Sequence, residues 1–370
     1  MSMNFFKRLI SDNFSYTMCG NPSSKIENAH LSFIVSNYKL FSLMHRSINH
    51  PNYYEFAAIA NSLTNLVKSV TVTDYRYNRN TINAEVTFGF GSAVEKSIIN
   101  SNKFIYYATG SSARFQCIEA ENELERIISF FGKESRNFFR IPEYYSGLNE
   151  VVADKIYLIG NKFTKNTFAL NLHSKIRLLP GISLIQSDTP FYDETDSHLL
   201  WIGSKSVLHR GLHIAAEISK LTKKILYVIG VNDFEKDFAH KLLTRSGCKF
   251  KLFGYLNVGS NLWFEIIKNC KYVLGCSVSE GMQTGILTAA SFGLYPVSTD
   301  TCGINYGSII EFSQRETLPE RMAAKIFELE ELRFEKMLAL KKEIKSSILD
   351  NNSPIAFEKV LNSYIAQDIR

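Results

Sequence analysis

No apolar run in this chain of 370 residues approaches the roughly 18 to 20 residues needed to span a bilayer. Lys7 and Arg8 stand near the start without a continuous apolar core behind them, so no secretion signal is expected and the cytoplasm is the expected location. The six cysteines form no Cys-x-x-Cys pair and no metal-like spacing with histidine, which predicts free thiols in a reducing compartment and no metal site. The eight histidines include no His-x-x-x-His or His-Glu-x-x-His, which excludes the usual zinc hydrolases. Low-complexity tracts are absent too. There is no dense Lys/Arg cluster interleaved with aromatics, so nucleic acid is not an expected partner.

What is present is a globular composition, 45% hydrophobic and 21% charged, in a chain long enough for two domains. A net charge of +6 favours anionic partners at long range, nucleotide-sugars and anionic lipid surfaces among them. Met3 to Ile10 is apolar on one side and basic on the other, so its two readings are a peripheral contact with the inner membrane face and a frayed or core-packed terminus.

The second half alternates clearly. Apolar strands are expected at 199–202, 225–229, 250–253, 272–274 and 295–298, with helical patterns near 211–221, 234–246, 261–269 and 283–292. Such alternation predicts an α/β domain whose parallel sheet is covered by helices on both faces, with ligands at the carboxyl ends of the strands. The first half repeats the pattern less regularly, with strands at 31–35, 69–73, 84–88, 103–107, 155–159 and 176–178 and helices near 53–67, 92–100, 116–131 and 162–171. The polar stretch 186–198 reads as a linker between domains at 1–185 and 199–349.

The most informative stretch is Tyr272 to Gly303, read as strand, loop, helix, strand. Its loop, Ser279-Glu280-Gly281-Met282-Gln283-Thr284-Gly285, opens the helix and offers free backbone N–H groups and a positive dipole end to an anion. A phosphate bearing a hydroxylated group fits that description. An earlier block, Leu200-Trp201-Ile202-Gly203-Ser204 followed by His209-Arg210-Gly211-Leu212, again ends a strand and opens a helix.

These two blocks, with Gly293-Leu294-Tyr295-Pro296-Val297, resemble the donor-binding signature of retaining glycosyltransferase family 4. The resemblance covers about residues 199 to 304 and extends loosely to the first half. It implies the GT-B fold: two Rossmann-like parallel-sheet domains facing a cleft, with the last helix crossing back to the first domain. After Gly303 the chain reads as helical and charged, with a cap-like break at Asp350-Asn351-Asn352-Ser353-Pro354, and Ile355, Phe357, Val360, Leu361 and Tyr364 give the tail from 350 to 370 one apolar face for that crossing. Two departures stand out. Ser204 takes the place of the family's first Arg, with Lys205 as a replacement charge, and Thr288 takes the place of its second Glu.

The resemblance implies catalytic roles for Arg210, on the donor diphosphate, and Glu280, on the donor sugar. Left to their chemistry alone, Arg210 would be a solvated cation at an unfavourable helix start and Glu280 a helix cap. Gly203, Ser204, Lys205, Gly281, Met282, Gln283 and Thr284 would line the donor, Tyr255 and Leu256 its base, and Thr288 a ribose hydroxyl. A solvated Lys205, a packed Thr288 and an ordinary turn at Gly254-Tyr255-Leu256 are the plainer readings. On the acceptor side the candidates are Gly89 and Gly91, which lack the third glycine of a dinucleotide fingerprint, and Thr109 and Ser111, which otherwise read as turn residues. No catalytic base stands out.

The implied activity is retaining transfer of a hexosyl unit from a nucleotide diphosphate-sugar to a growing glycan or lipid-linked glycan, as in surface polysaccharide synthesis, with no cofactor or metal. Ser204 and Thr288 keep a second reading open, a GT-B binding or partner subunit without turnover. A third, a nucleotide-sugar epimerase, would need paired acids and a His that this sequence does not assemble.

Overall fold

The computed structural model describes residues 15–34, 50–77, 80–142, 144–184, 188–193 and 195–369. The amphipathic segment from Met3 to Ile10 lies outside them, as do Gln186, Ser187 and Glu194 of the expected linker.

The first half contains β1 (Ser15–Cys19), β2 (Ile26–Phe33), α1 (Pro51–Thr64), β3 (Val67–Asp74), β4 (Val86–Gly89), α2 (Ser92–Ile98), β5 (Lys103–Ala108), α3 (Ala113–Phe131), α4 (Tyr144–Val152), β6 (Lys155–Ile159), α5 (Lys162–Asn166) and β7 (Ile176–Leu179). Its sheet runs β1-β3-β2-β4-β5-β6-β7. All neighbours are parallel except β1, which lies antiparallel on β3 at the edge. Apolar side chains fill both faces, which is why the inner strands read as continuous apolar runs.

The second half contains β8 (His198–Ile202), α6 (Leu212–Thr222), β9 (Leu226–Ile229), α7 (Lys236–Ser246), β10 (Phe250–Leu252), α8 (Asn261–Asn269), β11 (Cys270–Gly275), α9 (Thr284–Ser291), β12 (Tyr295–Thr299), β13 (Ser308–Ile310), α10 (Leu318–Glu330) and α11 (Phe334–Asn352). Its strands are all parallel and ordered β10-β9-β8-β11-β12-β13. That is the doubly wound order third-second-first-fourth-fifth-sixth, whose direction reverses between β8 and β11. A crevice forms there at the carboxyl ends, beside Gly203 and the loop after Gly275.

Three segments tie the halves together. Ser353 caps α12 (Pro354–Asp368) by accepting from the Ala356 amide, and Pro354 takes the first helical turn. Phe357, Leu361 and Ile365 of α12 are buried in the core of the first half, each stabilising the return crossing by roughly 1.5–3 kcal/mol as an upper figure. In the opposite sense, Ala120, Ile127 and Phe139, from α3 and the segment after it, belong to the core of the second half. At the crossing itself, Asn352 donates to the Gly181 carbonyl at 2.9 Å and accepts from the Tyr306 hydroxyl at 2.6 Å.

Two sequence expectations need correction. Part of the stretch read as a linker is docked: the Tyr192 amide donates to the Phe292 carbonyl at 3.0 Å and its ring packs by Phe264, because an aromatic in a polar stretch still finds apolar cover. The chain after Gly303, read as helical throughout, first adds β13 to the sheet.

Candidate active site

Arg210 ends a loop that the fold holds firmly. The indole N–H of buried Trp201 donates to the Arg210 carbonyl at 3.0 Å, and Glu235 accepts from the Ser206 amide at 2.7 Å. Gly211, at φ +73°, turns the chain into α6; a side chain there would stand 2.0 Å from the Cys276 carbonyl oxygen, so only glycine lets this loop lie against the end of β11.

The guanidinium of Arg210 meets Glu280. Nη1 lies 3.0 Å from Oε1 as an ion pair without hydrogen-bond alignment. A second guanidinium reaches the same carboxylate, since Arg140 Nη1 is 3.5 Å from Oε2. Arg140 Nη2 also donates to the Ser279 carbonyl at 3.1 Å, while its Nε is buried with no hydrogen-bond partner. Burial pushes the Glu280 carboxyl up, but the Arg140 and Arg210 charges outweigh it and the net shift is downward, so Glu280 is a carboxylate. His209, buried beneath, has its pKa driven to about 3 by desolvation and by the Arg140 charge. It is neutral, and its Nε2–H donates to Ser279 O at 2.9 Å. The cluster of two guanidiniums and one carboxylate carries a net positive charge.

Beyond Glu280 the loop faces the first half. Ser111 Oγ donates to the Glu280 carbonyl at 2.7 Å and Thr164 Oγ1 to the Gly281 carbonyl at 3.0 Å. A side chain on Gly281 would stand 2.4 Å from the Ile159 carbonyl oxygen and 2.6 Å from that of Thr109. Glycine therefore lets the ends of β5 and β6 approach the loop. Gln283 then precedes α9, its side chain spanning from Ser277 Oγ to the Ile202 carbonyl, at 3.3 Å each. No side chain caps α9, so its first N–H groups keep their dipole end for another partner.

Next to this helix start lies a cavity of about 160 Å³. Ile202 and Gly203 at the end of β8, Ile229 and Gly230 at the end of β9, Tyr255, Leu256 and Trp263, and Thr284, Gly285 and Thr288 of α9 form its wall, together with His50, Pro51 and Leu184. Loop 279–284 thus runs from the arginine cluster to the wall of the cavity. Apolar walls, two aromatic rings and an uncapped helix end suit an aromatic base carrying a phosphate.

The structure gathers Gly203, Tyr255, Leu256, Thr284 and Thr288 around one cavity and places Arg210 and Glu280 on the adjoining loop. Other candidates stand elsewhere. Ser204 and Lys205 are exposed, and Lys205 acts electrostatically on Glu235 rather than on the cluster, because the loop turns it outward. Met282 points to the chain crossing, its Sδ 3.2 Å from the Gly181 amide. Thr288 accepts from the Leu184 amide at 3.3 Å. Thr109 and Ser111 are interdomain contacts, with Ser111 buried, and Gly89 and Gly91 sit at the end of the neighbouring β4. Glu280 does not cap α9. Arg140 escaped sequence reading, because nothing local marks a residue whose partner Ser279 is 139 positions away.

Solved structures share this fold. The chain is similar to Anabaena HepE in complex with UDP, with a TM-score of 0.56 and 11% identity over 92% of this chain and 100% of that one. The chain has the GT-B fold. Other GT-B neighbours are the pneumococcal O-GlcNAc transferase GtfA in complex with UDP and GlcNAc (TM-score 0.51, 14% identity, 77% of this chain and 57% of that one) and S. aureus TarM with UDP (0.51, 13%, 76% and 54%). The chain therefore spans little more than half the length of GtfA and TarM. No family model and no curated protein matches it. Within this GT-B frame the cavity lies at the reversal point of the second sheet. No helix among the described residues is long and apolar enough to cross a membrane.

Proposed function

We propose that the chain transfers a hexosyl unit from a nucleoside diphosphate-sugar to a glycan or lipid-linked glycan with retention of anomeric configuration, as a member of glycosyltransferase family 4. The observation that carries this reading is the continuity of one loop, 279–284, from a net-positive arginine cluster to the uncapped start of α9 and an aromatic-walled cavity at the strand-order reversal. The base would occupy the cavity and the diphosphate the stretch between α9 and Arg210, with Glu280 taking sugar hydroxyls. UDP is the first donor to try, since HepE, GtfA and TarM were each crystallised with it.

In this reading the bond from sugar C1 to the diphosphate oxygen breaks, and the acceptor oxygen bonds C1 on the same face. Arg210 and the N–H groups of α9 stabilise the charge that grows on the leaving diphosphate. A donor phosphate oxygen takes the acceptor proton, so no side-chain base is assigned, and a resident cofactor is no part of the scheme. The acceptor enters from the first half, and surface polysaccharide synthesis at the inner membrane face is the setting we favour.

A binding subunit without turnover is the second reading. It draws on the contact of Gly281 with the Thr109 and Ile159 carbonyls, which leaves little room beside Glu280 unless the halves part. Mass spectrometry of UDP-, GDP- and dTDP-sugars incubated with the purified protein separates the two. Release of nucleoside diphosphate from one donor supports transfer, whereas saturable binding with no release supports the subunit reading.

A further inference from the structure

The arginine cluster is asymmetric in origin. Arg210 and Glu280 belong to the second half, whereas Arg140 follows the segment after α3, where the Phe138 carbonyl accepts from the Leu208 amide at 3.2 Å. Two guanidiniums share one carboxylate: the Arg210 contact is close but misaligned, the Arg140 contact is long, and Arg140 Nε is buried without any partner. Buried donors are normally satisfied, and a guanidinium fork matches phosphate oxygens in two parallel bonds. One carboxylate neither balances nor saturates this pair. Ser204 and Lys205 face solvent and supply no second cation here.

We infer that Arg140 is a second diphosphate-binding residue, and that Glu280 occupies the anion position between Arg140 and Arg210 until a diphosphate displaces it. The proposal rests on the nucleoside diphosphate reading above and adds a consequence: a phosphate-bearing ligand bridges Arg140, beyond α3, and Arg210 of the second half, so binding reinforces a contact that the two halves already make.

Calorimetric titration of the full chain with UDP, uridine and inorganic pyrophosphate tests this. Arg140→Gln is expected to weaken UDP and pyrophosphate at least tenfold and to leave uridine within twofold. Glu280→Gln, which removes the competing carboxylate, is expected to tighten pyrophosphate severalfold. The double variant Arg140→Gln/Glu280→Gln separates a direct role from a structural one. If Arg140 only neutralises Glu280, removing both restores wild-type UDP affinity and overturns the inference; if Arg140 holds phosphate, the double variant stays at least tenfold weak. UDP affinity lost in Arg210→Gln but kept in Arg140→Gln would sink this inference alone. A wild-type chain that binds neither UDP nor pyrophosphate would sink the nucleotide reading and this inference with it.

Discussion

Ser111 Oγ donates a 2.7 Å hydrogen bond to the carbonyl oxygen of Glu280, joining the turn after β5 to the loop that carries the candidate catalytic carboxylate. Both groups are buried, so replacing the hydroxyl leaves the carbonyl without its partner. Ser111→Ala should lower stability in urea by about 1–3 kcal/mol. An unchanged unfolding midpoint would show that the two halves do not close on this bond.

Gly281 makes the same interface steric. A methyl group there meets the Ile159 and Thr109 carbonyl oxygens, neither of which can yield without moving a strand end. Gly281→Ala should cost about 1–3 kcal/mol by overpacking and raise amide exchange at residues 109–112, while the distant wall formed by Tyr255 and Leu256 still admits nucleotide. Wild-type exchange in that turn would contradict the close approach.

Acid should loosen the contact between α3 and the second half. Glu123 is fully buried, with Oε1 2.7 Å from His213 Nε2 and 2.7 Å from Arg126 Nη2. Burial raises its pKa, but the His213 and Arg126 hydrogen bonds and charges prevail and hold it at about 2, against 4.5 for an ordinary glutamate. A depressed carboxyl contributes stability above its ordinary value and loses it as pH falls from about 4.5 towards 2. Glu123→Gln should destabilise the protein at pH 7 by about 3–5 kcal/mol and flatten the loss of stability through that acid window. A variant as acid-sensitive as wild type would remove Glu123 as its source.

The cavity offers a cleaner perturbation. Leu256 lines it and lies outside the regular elements, so Leu256→Trp should fill space without disturbing a strand. UDP affinity should fall at least tenfold with the melting temperature unchanged to within about 2 °C, a change of no more than about 1–2 kcal/mol for a chain of this size. Undiminished UDP binding would place the base elsewhere.

Much of the fold is legible in the sequence because parallel strands covered on both faces must be apolar on both faces. Lys155–Ile159 and Asn261–Asn269 are read residue for residue. What escapes is what lacks that signature. β1 is an edge strand that alternates exposed and half-buried residues in Ser-Tyr-Thr-Met-Cys, β13 has three residues, and α4 lies outside every expected helix. At the site, the loop 279–284 and Arg210 are visible because each stands at a strand-to-helix junction. Arg140 is not, since its part depends on two halves of the chain meeting. Met282 and Ser111 show the converse: residues in the right loops whose side chains serve the interface.

The central claim is that Arg210 and the cavity together hold a nucleoside diphosphate. Titrating the wild-type chain and Arg210→Gln with UDP and with uridine tests it most directly. The account predicts that wild type prefers UDP and that Arg210→Gln loses about 1.5–3 kcal/mol of UDP affinity while uridine affinity is kept. An equal affinity of wild type for both ligands, or a UDP preference that survives in a folded Arg210→Gln variant, would contradict it.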